Sequence, residues 1–192
     1  MLCVFNISCT HEQLQKPNNM FSEKVALSKT ILNVDRRSRI NIKNDDLIIT
    51  NAWTALRNNP NIINNSHLNI ACYNGNLLIV GQTQNEYYKK QINHILQDLD
   101  KINTLYNQIT LEKPASFSAR IKDRFINAKV KSRLLNNANI GPNRIKTITE
   151  KQKVYLMGLI SPKEEITALR LASTTNGVTQ VIKIFDKYQD AL

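Results

Sequence analysis

The segment from Asn58 to Gly81 recurs from Asn136 to Gly158, so this chain is constrained to fold as two copies of one small unit. In the first copy NNPNI leads into HLNIACYNGNLLIVG, and in the second NNANI leads into RIKTITEKQKVYLMG. A unit of roughly 65 to 70 residues buries little apolar surface alone. The two copies are therefore expected to pack against each other. What they share should define the fold, and where they differ should define the function.

The order of elements reads the same way in both copies. Asp45 and Asp46 suit a helix N-terminus, and Ile48, Ala52, Ala55 and Leu56 fall on one face of the helix that follows. Asn58-Asn59-Pro60 ends it. Leu68, Ile70 and Cys72 then alternate with His67, Asn69 and Ala71, and Asn74-Gly75 supplies the positive φ angles of a tight hairpin before Leu77 to Val80. A helix from about Asn85 to Leu99 and a strand from Ile102 to Leu111 complete the unit. In the second copy Ile126, Val130 and Leu134 take the places of Ile48, Ala52 and Leu56. Strands follow at Arg144 to Thr149 and Val154 to Leu159, then a helix opened by Pro162 and a last strand from Val178 to Phe185. Lys113-Pro114 and Ser116 mark a short join. The expected fold class is α+β, each unit running helix-strand-strand-helix-strand with a three-stranded sheet packed on two helices. The units span residues 45–112 and 116–187, behind a tether of residues 10–44.

Charge separates the copies. The chain carries 26 Lys plus Arg against 15 Asp plus Glu, a formal net charge of +11, which points to an anionic partner. Residues 113–192 hold 15 basic and 6 acidic side chains, whereas residues 45–112 hold 4 and 6, so the second copy is the candidate binder. Its first helix lies in SFSARIKDRFINAKVKSRLL. There Ile121, Ile126, Val130 and Leu134 read as the core-facing stripe, and Arg120, Lys122, Arg124, Lys129, Lys131 and Arg133 make the exposed surfaces basic. Phe125 sits among these cations, outside that stripe. An aromatic ring amid Lys and Arg suits an element lying on a phospholipid surface. A basic helix on a small mixed sheet can also follow nucleic-acid phosphates, which keeps a nucleic-acid-binding module as an alternative. In the first copy Ile49 and Trp53 stand where the second has Asn127 and Lys131, and they read as contacts to the other unit or to a partner protein.

No catalytic or metal site is expected. His11, His67 and His94 are far apart, no Ser/His/Asp or Cys/His grouping is present, and Cys3, Cys9 and Cys72 form no CxxC pair. The five glycines are dispersed rather than gathered into a phosphate-cradling loop. Cys72 reads as a small apolar filler facing the core. No cofactor is implied.

This arrangement resembles the BON domain, on VKSRLL, VYLMGLIS and NGVTQVIKIF in the second copy and on the Gly that closes the second strand in each. The lead-in DRRSRINIKNDDLII is similar to that of the dual BON-domain outer-membrane lipoproteins of the DolP (formerly YraP) type. Lys101, standing where the second copy has Gly177, departs from the pattern in local turn geometry only. The resemblance implies a non-enzymatic lipoprotein on the periplasmic face of the outer membrane. Its second BON domain would bind anionic phospholipid, such as phosphatidylglycerol or cardiolipin, and support envelope integrity. It also implies the lipid-contact helix, whose aromatic corresponds to Phe125. MLCVFNISC then reads as the remnant of a lipoprotein signal peptide, with Ser8 before an acylated Cys9, although Asn6 replaces the usual aliphatic residue. A further reading is an interaction module docking on outer-membrane assembly machinery or peptidoglycan through the face of Ile49 and Trp53.

Overall fold

A computed structural model describes residues 35–141 and 143–188. Cys9, the signal-peptide reading and most of the tether lie outside them. The first unit runs α1 (Arg39–Arg57), α2 (Pro60–Asn65), β1 (Ser66–Tyr73), β2 (Asn76–Thr83), α3 (Glu86–Gln97) and β3 (Thr104–Leu111). The second runs α4 (Phe117–Leu135), β4 (Ile145–Glu150), β5 (Lys153–Ile160), α5 (Pro162–Ser173) and β6 (Gln180–Lys187). In each unit the hairpin is antiparallel, the third strand joins its second strand in parallel, and the sheet orders are β1-β2-β3 and β4-β5-β6. The fold is thus the expected α+β pair.

One boundary is corrected. Helix α1 starts at Arg39, not Asp45, because the Ser38 side chain accepts a hydrogen bond from the Asn41 amide and caps the helix there. Ser116 does the same for α4 through Ala119. Asp45 therefore lies inside the helix and is buried. Its carboxylate accepts bonds from the amides of Asn74 and Gly75, each at 2.7 Å, and so fastens α1 to the hairpin turn. Asp123 repeats this in the second unit, accepting from the amides of Lys151 and Gln152, each at 2.8 Å. That second turn needs the help, since neither residue is Gly yet both hold left-handed φ angles of 50° and 62°.

Gly81 shows why each second strand carries a glycine. A Cβ there would lie 1.9 Å from the carbonyl oxygen of His67 on β1, and its φ is 138°. At Gly158 a Cβ would lie 2.5 Å from the Arg144 carbonyl oxygen. Backbone approaches the neighbouring strand too closely for any side chain. Lys101 adopts a φ of 67° where Gly177 has 97°, so the departure changes the residue and keeps the turn.

Strand alternation then builds three cores. On one face of the first sheet Ile70, Cys72, Leu77, Ile79 and Ile109 pack under α1 and α3. In the second unit Val154 and Leu156 pack under Ile126, Val130, Leu134, Ala168 and Ala172. The opposite sheet faces meet each other, with Ala71, Tyr73, Leu78 and Val80 against Ile148, Tyr155, Met157 and Ile184. This shared apolar seam joins the units, as expected for copies too small to bury enough surface alone. Ile49 and Trp53 are not in it. They lie half-buried against the first unit's own core, with the Arg57 guanidinium over the Trp53 ring, which corrects the reading of them as contacts between the units.

Polar groups close the rim of the seam. Asn74 and Asn76 donate to Asp186, Lys146 donates to the Cys72 carbonyl, and Gln82 donates to buried Glu150 at 2.8 Å. The lead-in also takes part. Arg37 stacks on Tyr73 and pairs with Asp35 and Asp45, while Arg36 stacks on Tyr188 and pairs with Glu164. Adjacent arginines therefore hold one unit each.

Candidate functional site

Helix α4 has two apolar stripes on opposite sides, and only one is buried. Ile126, Val130 and Leu134 enter the core. Phe117, Ile121, Phe125, Ala128 and Leu135 recur at helical spacing on the other side. Phe117 is 69% exposed, Phe125 66% and Leu135 48%. Ile121 belongs to no core cluster, which corrects its assignment to the inward stripe; it lies partly covered between the two phenylalanines. A wheel of roughly 100° per residue places Lys122 and Lys129 on one flank of the outward stripe and Arg124 and Lys131 on the other. All four are exposed.

The remaining cations of α4 point elsewhere. Arg133 is half-buried and donates to the Leu171 carbonyl at 2.8 Å and the Thr175 hydroxyl at 2.9 Å. Arg120 is half-buried too and turns toward β1, where it lines a cleft between the units. In that cleft burial pushes the Glu150 carboxyl up, but the nearby His67, the hydrogen bond from Gln82 and the charge of Arg120 outweigh it and hold the group below the usual carboxylate range. The structure thus brings Lys122, Arg124, Phe125, Lys129 and Lys131 to one surface and separates Arg120 and Arg133 from it.

Such an arrangement can lie on an anionic interface with its rings at the boundary between headgroups and acyl chains and its cations at phosphate depth. The sequence also matches the BON domain twice, over residues 44–113 and 122–185. The chain belongs to the BON domain family. Its two BON domains stand in tandem, as in the dual-BON outer-membrane lipoproteins of the DolP type. The chain is 28% identical over 146 residues to the outer membrane lipoprotein DolP of Haemophilus influenzae, covering 76% of this chain and 75% of that protein. It is 26% identical over 156 residues to the 21 kDa hemolysin of Actinobacillus pleuropneumoniae, covering 81% and 80%. A solved structure of CdsD, a structural protein of the type III secretion system of Chlamydia trachomatis, aligns at a TM-score of 0.31 and 11% identity, covering 74% of this chain and 92% of that one.

Several BON-domain residues that matter here are not obvious from the sequence. Asp45 reads as a helix-start residue and Asp123 is given no role in the sequence reading, yet each pins a hairpin. Their signal was the shared repeat position, one turn before Ile48 and Ile126. Cys72 does face the first BON core, and its thiol donates to the Asp45 carboxylate at 3.3 Å. Burial and that neighbouring charge push its pKa well up. Arg36 and Arg37 looked like tether charge; nothing in their spacing showed that they grip different domains.

Proposed function

We propose that this BON-domain protein is a non-enzymatic lipoprotein of the cell envelope, held by an acylated Cys9 at the periplasmic face of the outer membrane. It binds anionic phospholipid through the outward stripe of α4, and so supports envelope integrity. The single observation that carries the binding step is the exposed row Phe117, Phe125 and Leu135 flanked on both sides by cations. The location is supported by the likeness to DolP, which is described as an outer membrane lipoprotein.

Magnitudes favour a surface that is both apolar and anionic. A fully buried Phe contributes about 1.5 to 3 kcal/mol, and partial insertion less. Each cation near an anionic surface adds about 1 kcal/mol, so the four flanking residues together add about 4 kcal/mol before salt screening. No described helix is long and apolar enough to cross a membrane. The lipid group on Cys9 would tether the chain, and the basic patch would decide which headgroups α4 meets.

The test is pelleting of the full chain with vesicles of phosphatidylcholine alone and with added phosphatidylglycerol or cardiolipin. Binding should rise at least about tenfold with anionic lipid and fall with salt. Phe125→Ser together with Lys129→Glu should remove most of it without changing the circular dichroism spectrum. Equal binding to neutral and anionic vesicles would sink the proposal.

A further inference from the structure

We propose that the outer edge of β3 pairs with the same strand of a second copy of this chain, antiparallel about a two-fold axis at Gln108. Strand β3 is an edge of the first sheet, and no described strand pairs with its outer side. Its sequence, TLYNQITL, contains no charged residue. The matching edge of the second BON domain, β6, reads QVIKIFDK and carries Lys183, Asp186 and Lys187. Charged residues, Lys above all, keep a sheet edge from pairing with another chain. One copy of the repeat is guarded in this way and the other is open.

Backbone register identifies the groups that β3 offers. The Glu112 amide donates to the Thr83 carbonyl at 2.9 Å, and Leu111 lies opposite Thr83. In a parallel pair alternate residues turn their backbone groups toward the neighbour, so Leu105, Asn107, Ile109 and Leu111 turn theirs away from β2. The Ile109 amide agrees, since it donates to the side-chain oxygen of Asn107 at 3.1 Å. There a side chain bent back on its own strand takes the place of a neighbouring strand.

Two such edges complement each other. Centring the two-fold on Gln108 sets Leu105 against Leu111 and Asn107 against Ile109 of the second copy, so every outward residue gains a backbone partner. Centring it on Asn107 would set Leu111 against Asn103, whose amide already donates to the Gly75 carbonyl. With the axis at Gln108, Leu111, which is 49% exposed, is covered by Leu105 of the second copy. Tyr106 lies across from Thr110, an aromatic and β-branched pair, and no like charges within the strands face each other. The contact is isologous and closes at two chains. It stands apart from the membrane reading above, because no residue of α4 enters it.

An edge pairing of this length buries less than the roughly 1,200 Å² of a standard interface, so dissociation in the micromolar to millimolar range is expected. Sedimentation equilibrium of the full chain from about 10 μM to about 1 mM should show the mass rising from one copy toward two. Gln108→Lys sets two ammonium groups against each other at the axis and should weaken the dimer about tenfold or more. Gln108 is exposed, so the circular dichroism spectrum should not change. Register is read by trapping with oxidised glutathione in full chain carrying Cys3→Ser and Cys9→Ser, Cys72 being buried. Residues facing each other at a non-hydrogen-bonded position lie about 4.5 Å apart at Cα, within disulfide reach, so Gln108→Cys should crosslink to itself. Thr104→Cys, also exposed, should not, since the two-fold holds its two copies about 27 Å apart. A single-copy mass up to about 1 mM overturns the proposal, and so does a Gln108→Lys protein that dimerises as tightly as the original. Trapping through Thr104→Cys but not through Gln108→Cys overturns the register and with it the site. A crosslink from Gln108→Cys to a different protein in place of itself, on cells carrying the variant, overturns the second copy as the occupant.

Discussion

Replacing Asp123 by Asn tests whether the buried carboxylate of α4 holds the second hairpin. The side chain accepts one bond at each oxygen, from Lys151 and Gln152, at 2.8 Å in both cases. Asn keeps the shape and one acceptor but presents an NH2 group to the second amide, leaving donors facing each other. With hydrogen bonds to charged groups contributing about 1.5 to 3 kcal/mol, the loss of one should cost about 2 to 3 kcal/mol. Asp123→Ala removes both and should cost about 3 to 5 kcal/mol. The turn is also intrinsically costly, since Lys151 and Gln152 hold φ angles of 50° and 62°. Each left-handed non-Gly residue is unfavourable by roughly 1 to 2 kcal/mol. Gln152→Gly should therefore return about 1 kcal/mol in the Asp123→Asn background, its greater freedom in the unfolded chain offsetting part of the gain. Urea unfolding followed by circular dichroism reads both effects, and at about 2 to 3 kcal/mol per molar the Asn variant should shift the midpoint by about 1 M. A shift below about 0.3 M would refute the clamp, because it would mean that the two bonds merely replace equivalent bonds to water.

The glycines and the buried carboxylates give further tests. Gly81→Ala should destabilise by at least about 3 kcal/mol, since its Cβ would fall on the rigid His67 carbonyl, seen as loss of soluble protein or of the thermal transition. Gly75→Ala, whose Cβ meets only the side-chain end of Asn103, should be milder at about 1 kcal/mol; equal effects would refute the steric account. Burial pushes Glu164 up, but bonds from Ser161, Arg144 and Arg36 outweigh it, and Glu150 is lowered in the same sense. A lowered folded-state value means that the stabilisation is present above the ordinary carboxylate range and is lost as pH falls through the lowered value. Thermal melts should thus hold steady down to about pH 5 and fall steeply below about pH 4, with Glu164→Gln flattening the fall; melts unchanged to about pH 3 would contradict it.

Local pattern carried much of this protein. Alternation in HLNIACY, the Asn74-Gly75 turn, and the helical spacing of Ile48, Ala52 and Leu56 each report on neighbours a few residues away, and the repeat shows that the same solution was used twice. Charge is also additive along a chain, so the basic character of α4 was readable directly. The side that each residue faces was less so. The sequence reading groups Ile121 with the inward stripe, yet at about 100° per residue it falls about 140° from Ile126, on the side of Phe117 and Phe125. Which of the two apolar sides of α4 is buried is decided by the sheet that packs against it.

The sequence by itself determined two tandem α+β units, their hairpins and the basic helix, since these follow from periods of two and 3.6 residues and from turn chemistry. Only the tertiary structure decided that Asp45 and Asp123 fasten helices to turns, that Arg36 and Arg37 grip different domains, and that Arg120 faces a cleft while Phe125 faces solvent. Those are contacts between residues far apart in the chain. Burial and partnership arise only when the two sheets close on each other, and no local period encodes them.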